Sequence, residues 1–182
     1  NHDKPDSTGI CFIGERPFKS FIQKFLPPEP GKIITEDGET LGTHDGLMYF
    51  TLGQRKDIGI GGLKNHSGDP WYVANKDIDR NELLVVQGRE HKKLWRKKAF
   101  AKEMNWLNES FLESIQKKGS IACRAKCRYR QEDANCEITL HEDGVKVHFE
   151  EAQWAITHGQ YIVIYEQDVC MGGGKIFPHS EY

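Results

Sequence analysis

The chain has 182 residues, 37% hydrophobic and 29% charged, with a net charge of -2. That is apolar material for one sizeable core or two small ones. It is too much for a disordered polymer, and no run of about 18 apolar residues exists to form a membrane-spanning helix.

In chain order, residues 1–15 are polar and glycine-broken around Cys11, with no helical or strand period, and read as a loop carrying a cysteine. Phe18, Phe21, Ile22, Phe25 and Leu26 fall on one face of a helix over 17–26, opened by Pro17 and stopped by Pro27-Pro28. From residue 31 the period drops to two. Residues 32–35 and 40–43 form a hairpin around Glu36-Asp37-Gly38-Glu39, Met48–Leu52 a further strand, and 71–74 with 83–87 a second pair. Gly53 to Gly62 is glycine-rich and basic. Gly88 to Lys98 is the domain boundary, followed by a strand over 99–106 and a short helix capped by Asn108 that carries Phe111, Leu112 and Ile115. Strands follow over 121–130, 135–141, 145–150, 161–167 and 169–177, with Asp143-Gly144 the clearest hairpin turn. The fold class is mainly β. A small β-rich central domain with one short helix (21–88) precedes a C-terminal antiparallel β-barrel (89–182), because so many short strands in under 90 residues suit a small closed barrel.

Charge is unevenly spread. Residues 1–88 carry 10 basic and 13 acidic side chains, 89–130 carry 13 and 4, a net +9, and 131–182 carry 2 and 10, a net -8. A local +9 field attracts polyanions; it is equally a solvated face balanced by the acidic block after it. Within it, Arg124, Lys126, Arg128 and Arg130 alternate along one strand with Tyr129 on the other face. This is either an RNA-backbone contact with a stacking aromatic or an edge guarded by charge. Gln54-Arg55-Lys56 before Gly59-Ile60-Gly61-Gly62 is a weak phosphate-cradling signal or a tight loop between strands.

Five cysteines, an odd number, and no signal peptide argue for a reducing compartment, hence a cytoplasmic protein. Cys11, beside Arg16 and Lys19, is a reactive thiol or an apolar anchor. Cys123-x-x-x-Cys127 does not suit a metal, since four strand residues span about 13 Å; these two read as small core or edge residues, and Cys136 and Cys170, in strand patterns, as core. No metal site is expected. His44-Asp45 reads as a turn before it reads as a catalytic pair. The first residue, Asn1, gives the expectation of a fragment of a longer protein.

Asp6-Ser7-Thr8-Gly9-Ile10-Cys11-Phe12-Ile13-Gly14-Glu15-Arg16 resembles the second-cysteine motif of the tRNA-specific 2-thiouridylases. Gly46-Leu47-Met48, Thr51–Lys56, Gly59–Gly62, Arg128-Tyr129-Arg130-Gln131, Gly159-Gln160 and Cys170–Gly174 follow in that family's order. The resemblance implies a wobble-uridine 2-sulfurtransferase. An N-terminal domain, absent here with its first cysteine and ATP loop, would use ATP to activate the uridine by adenylation. Residues 1–20 would be the cysteine-bearing loop and tail of that missing domain. Cys11 would carry the persulfide, supplied by a cysteine desulfurase relay, and the first cysteine would resolve it as a disulfide. Arg128, Tyr129 and Gln160, and less directly Arg55 and Lys56, would bind the anticodon arm of tRNA. The chain alone would be inactive. A non-catalytic RNA-binding barrel and a thiol redox sensor are the rival readings.

Overall fold

Alternating apolar residues from Gly31 onward produce two β units, and the computed structural model describes residues 21–61, 67–129 and 131–178. The first unit is a four-stranded sheet of β1 (Gly31–Ile34), β2 (Thr40–His44), β3 (Trp71–Asp77) and β4 (Glu82–Gln87), in the order β2-β1-β4-β3. Both expected hairpins are present, β1 with β2 and β3 with β4. β1 also lies parallel to β4, with Ile33 opposite Leu83. Parallel neighbours cannot be joined by a tight turn, so the two hairpins are linked through residues 45–70. One face buries Ile33, Val73, Leu83 and Val85, and the other Tyr72, Ala74 and Val86 under Leu94. Burial on both sides is why β4 reads Leu-Leu-Val-Val rather than alternating.

The second unit closes. β5 (Trp95–Trp106), β6 (Ser120–Lys126), β7 (Ala134–His141), β8 (Gly144–Trp154), β9 (Tyr161–Glu166) and β10 (Val169–Phe177) run in the barrel order β10-β5-β8-β7-β6-β9. Closure leaves no unpaired edge. Ile138, Val145, Val147, Phe149, Ile162, Ile164 and Ile176 fill the interior. α1 (Glu109–Lys118) adds Phe111 and Ile115 to it. The Asn108 side chain accepts from the Phe111 amide at 3.0 Å, the expected cap.

The structure differs from several expectations. Of the helix over 17–26, residues 17–20 lie outside the described residues. Phe21 and Ile22 are helical, and Phe25 and Leu26, expected on the helix's apolar face, are 68% and 46% exposed. Ahead of Pro27 the chain runs on in hydrogen-bonded turns, with the Phe25 and Leu26 amides both donating to the Ile22 carbonyl at 2.9 Å. Met48–Leu52 is no strand: a 3-10 turn, Leu47–Tyr49, leads there into an irregular loop. Lys76 Nζ donates to the Leu47 and Phe50 carbonyls at 3.4 and 3.0 Å, replacing a neighbouring strand, while Leu47, Phe50 and Leu52 bury as loop residues. The barrel's first strand starts at Trp95, not 99, because Trp95 pairs with Trp154.

The β7–β8 turn is Glu142-Asp143, with Gly144 already opposite His141. Gly144 is needed because a Cβ there would sit 2.1 Å from the Ala101 carbonyl oxygen of β5. β6 stops at Lys126, so the basic alternation is not one continuous strand, and Tyr129 sits exposed in the turn that follows rather than on a strand face. Cys170 is half-buried rather than core.

Candidate nucleic-acid interface

Just past β6, the side chain of Arg128 turns back toward the sheet unit. Its Nη2 donates to the Leu52 carbonyl at 2.8 Å, the Ala155 carbonyl at 3.0 Å and Thr157 Oγ1 at 3.2 Å. The guanidinium lies 5.2 Å from the Trp154 ring centroid, and Arg89 lies 5.5 Å from it. Burial lowers the proton affinity of Arg128, yet arginine keeps its charge. Arg128 therefore ties three segments together: the loop after the 3-10 turn, the end of β8, and its own bend.

Each segment carries another of the candidate residues. In the first loop, Gln54 accepts from the Thr51 amide at 3.0 Å and donates to the Lys56 carbonyl at 2.9 Å. The Gly53 amide and Gln54 carbonyl pair with Val73 at 2.7 and 3.0 Å. Ile58 is buried and Ile60 half-buried, so Gly59–Gly61 is anchored and Arg55 and Lys56 face solvent. Gly53 sits at φ +78°, and a Cβ there would lie 2.6 Å from the Trp154 ring and 2.7 Å from Ala155. Only glycine suits that conformation and that contact together.

In the second segment, Thr157 donates to the Ala155 carbonyl at 2.8 Å while accepting from Arg128. The next turn is fixed by Gly159 N–H to the Ile176 carbonyl at 2.8 Å and Ile176 N–H to the Gln160 carbonyl at 2.7 Å. Gln160 is presented to solvent. Tyr129, next to Arg128, is 67% exposed. Arg128 thus bonds to the loop that leads to Arg55 and Lys56 and to the segment that leads to Gln160, with Tyr129 beside it in the chain.

The rest of the basic run is partly engaged. Arg124 pairs with Asp133 at 2.6 Å, and Lys126 Nζ lies 5.3 Å from the Tyr165 ring centroid. Arg130, Gly62 and Cys11 with its motif lie outside the described residues. Among the described cysteines all four are free thiols. Burial, against the opposing charge of Arg128, pushes Cys127 up to about 12. The hydrogen bond with Cys123, at 3.6 Å between sulfurs, and then burial raise Cys136 further. These two are held as thiols and supply no nucleophile. His44 is buried, accepting from the Gly46 amide at 3.0 Å and lying 3.3 Å from the Asn81 carbonyl, so it holds a turn rather than a substrate.

Sequence reasoning missed Trp154, Ala155 and Lys76. Ala155 belongs to the buried cluster of the sheet unit although β8 is a barrel strand, and Trp154 packs against the same cluster. No sequence period marks such a residue; its only signal is a tryptophan at the end of a long strand.

Two β units joined through one strand end define a class of paired β-domain proteins, and sequence comparison gives both units. Residues 19–87 match the tRNA methyl transferase PRC-barrel domain, and residues 96–176 match the aminomethyltransferase beta-barrel domain. The chain belongs to the tRNA-specific 2-thiouridylase family. It is 53% identical over 176 residues to the tRNA-specific 2-thiouridylase MnmA of Pseudoalteromonas translucida, covering 96% of this chain and 47% of that protein. The enzymes of the same name from Hahella chejuensis and Klebsiella pneumoniae subsp. pneumoniae are 49% and 51% identical, covering 96% and 95% of this chain and 47% and 46% of theirs. The chain spans about half the length of these curated relatives, 46–47%. Among the described residues no helix is long and apolar enough to cross a membrane.

Proposed function

We propose that this chain supplies the sulfur-carrying cysteine and part of the tRNA-holding surface of a tRNA-uridine 2-sulfurtransferase that acts on the wobble position. The observation that carries the reading is identity of about half the residues over 96% of the chain to a protein named for that activity. The Cys11 motif and the junction built by Arg128 support it. Cys11, as thiolate, would attack the outer sulfur of a persulfide on a desulfurase relay. A Cys11–S–SH forms, and the relay cysteine leaves as its thiolate. The tRNA anticodon arm would lie across Tyr129, Gln160, Arg55 and Lys56.

Arg128 contributes in two ways. Nη2 fixes the turn that presents Gln160, and the rest of the guanidinium supplies charge to a nearby phosphate. ATP belongs, by the family resemblance, to a segment whose motif this sequence does not contain. The described residues do not fit it either. The Gly59–Gly61 segment is anchored by Ile58 and Ile60 and is followed in the chain by β3, and the N-terminus of α1 is capped by its own Asn108.

The reading is tested by exchanging this chain for the matching 47% of the Pseudoalteromonas enzyme and assaying wobble-uridine thiolation with ATP, cysteine and a desulfurase relay. The chimera is expected to thiolate tRNA, its Cys11→Ser variant to be inactive, and the chain alone to be inactive. A Cys11→Ser chimera of full activity removes the sulfur-carrying role and leaves the RNA-binding module as the better reading.

A further inference from the structure

The +9 block is only partly used at the junction, and its first third lies elsewhere. Between β3–β4 and the run into β5 is a hollow of about 530 Å³ whose lining includes Asn75, Lys92, Trp95, Arg96 and Lys98. A second hollow of about 220 Å³ lies beyond, and Asn75, Arg96 and Lys98 line both, with His158 and Phe177 on the far side. The two form one trough with a shared basic wall. Among the described residues no carboxylate lines either hollow. Lys92 and Lys98 are exposed, and Arg96 is half-buried. Cations gathered on a concave surface focus a positive potential.

His158 lines the second hollow. Partial burial, and then the nearby charges of Arg96 and Lys76, hold its imidazole below the ordinary histidine range. His158 also stands in the turn that Arg128 pins and that presents Gln160, two residues on. One end of the trough therefore lies beside the turn that presents Gln160. It is an open channel with amide and aromatic groups in its walls, a form that suits a polyanionic backbone.

We propose that this trough, with Arg96 and Lys98 as its phosphate contacts and Asn75 and His158 as hydrogen-bonding neighbours, is a second RNA backbone-binding site. It extends the tRNA footprint from Gln160 across the seam between the two β units. The proposal rests on the tRNA reading above.

The test is a titration of the chain with an unmodified tRNA transcript at salt from about 50 to 200 mM. Wild type is compared with the double variant Arg96→Gln/Lys98→Gln, with Arg96→Lys, and with Gln160→Ala/Tyr129→Ala. The double variant is expected to bind about tenfold more weakly at low salt, with a log–log salt slope shallower by roughly two, one per lost phosphate contact. Arg96→Lys is expected to stay near wild type. Wild-type affinity and slope in the double variant overturn the trough and leave the tRNA reading standing. No binding by the wild type at low salt overturns both. A second readout uses the unaltered chain: NMR titration of His158 is expected to shift to higher pKa when tRNA is added, because a phosphate beside Arg96 offsets the cations. An unmoved His158 in a chain saturated with tRNA contradicts the proposal even where a variant fails to fold.

Discussion

The two β units solve the same burial problem in opposite ways. The barrel closes on itself, and its interior is built mainly from alternating residues of its own strands, with Phe111 and Ile115 of α1 added. The four-stranded sheet is open, and it completes its core with a loop, through Leu47, Phe50, Leu52 and Ile58, and with Ala155 borrowed from the barrel chain. The self-contained unit leaves little that can be adjusted, whereas the seam, where one unit lends a strand end to the other, gathers Arg128, Gln160, Gly53 and the Arg55 loop.

The sharpest way to break the comparison is in the barrel. Phe149 is 1% exposed, and Phe149→Ala is expected to cost about 3–5 kcal/mol, enough to unfold the barrel and, through Ala155, the sheet with it. Calorimetry should show loss of the whole transition. A surviving sheet transition would mean that the sheet stands alone. Gly53→Ala strikes the seam. A Cβ against Trp154, at positive φ, is expected to cost about 2–4 kcal/mol. Hydrogen exchange should open the sheet unit while the barrel's protection stays unchanged.

Arg128→Lys keeps the charge but not the three bonds from Nη2. A loss of about 2 kcal/mol is expected, read as a lower urea midpoint, together with weaker tRNA binding. If the variant binds tRNA normally despite lower stability, Arg128 is a strut alone. The smallest effect is in pH. His44 is held below its ordinary 6.5, chiefly by burial. The unfolded chain therefore takes up the proton first, and stability is full above about pH 6.5 and falls below it. Melting at about pH 7.5 and 5.5 should show this fall in wild type and a smaller one in His44→Gln.

Sequence periodicity carried the barrel further than the sheet. β7 and β8 alternate cleanly because one face is buried and one solvated, and Asn108 announces α1 through its own capping bond. Met48–Leu52 misled because apolar residues in a loop that covers a sheet look like a strand until the partner of their carbonyls, Lys76, is known. The parallel contact of β1 with β4 has no local signal at all. Of the candidate RNA contacts, Tyr129 and Gln160 are exposed. Arg128 reads in sequence as one more cation of a stripe, and only the fold shows that it faces Leu52, Ala155 and Thr157. Gly144 signalled a turn and proved to be a close approach of two strands.

The most direct measurement is on Cys11. The chain, and the chimera carrying it, are incubated with a cysteine desulfurase, cysteine and its relay, and the peptide containing Cys11 is weighed by mass spectrometry under non-reducing conditions. The expected result is one added sulfur atom on Cys11, removed by a thiol reductant and missing in Cys11→Ser. Sulfur on another cysteine, or on none while the relay itself is loaded, would contradict the sulfur-carrying role on which the proposed function rests.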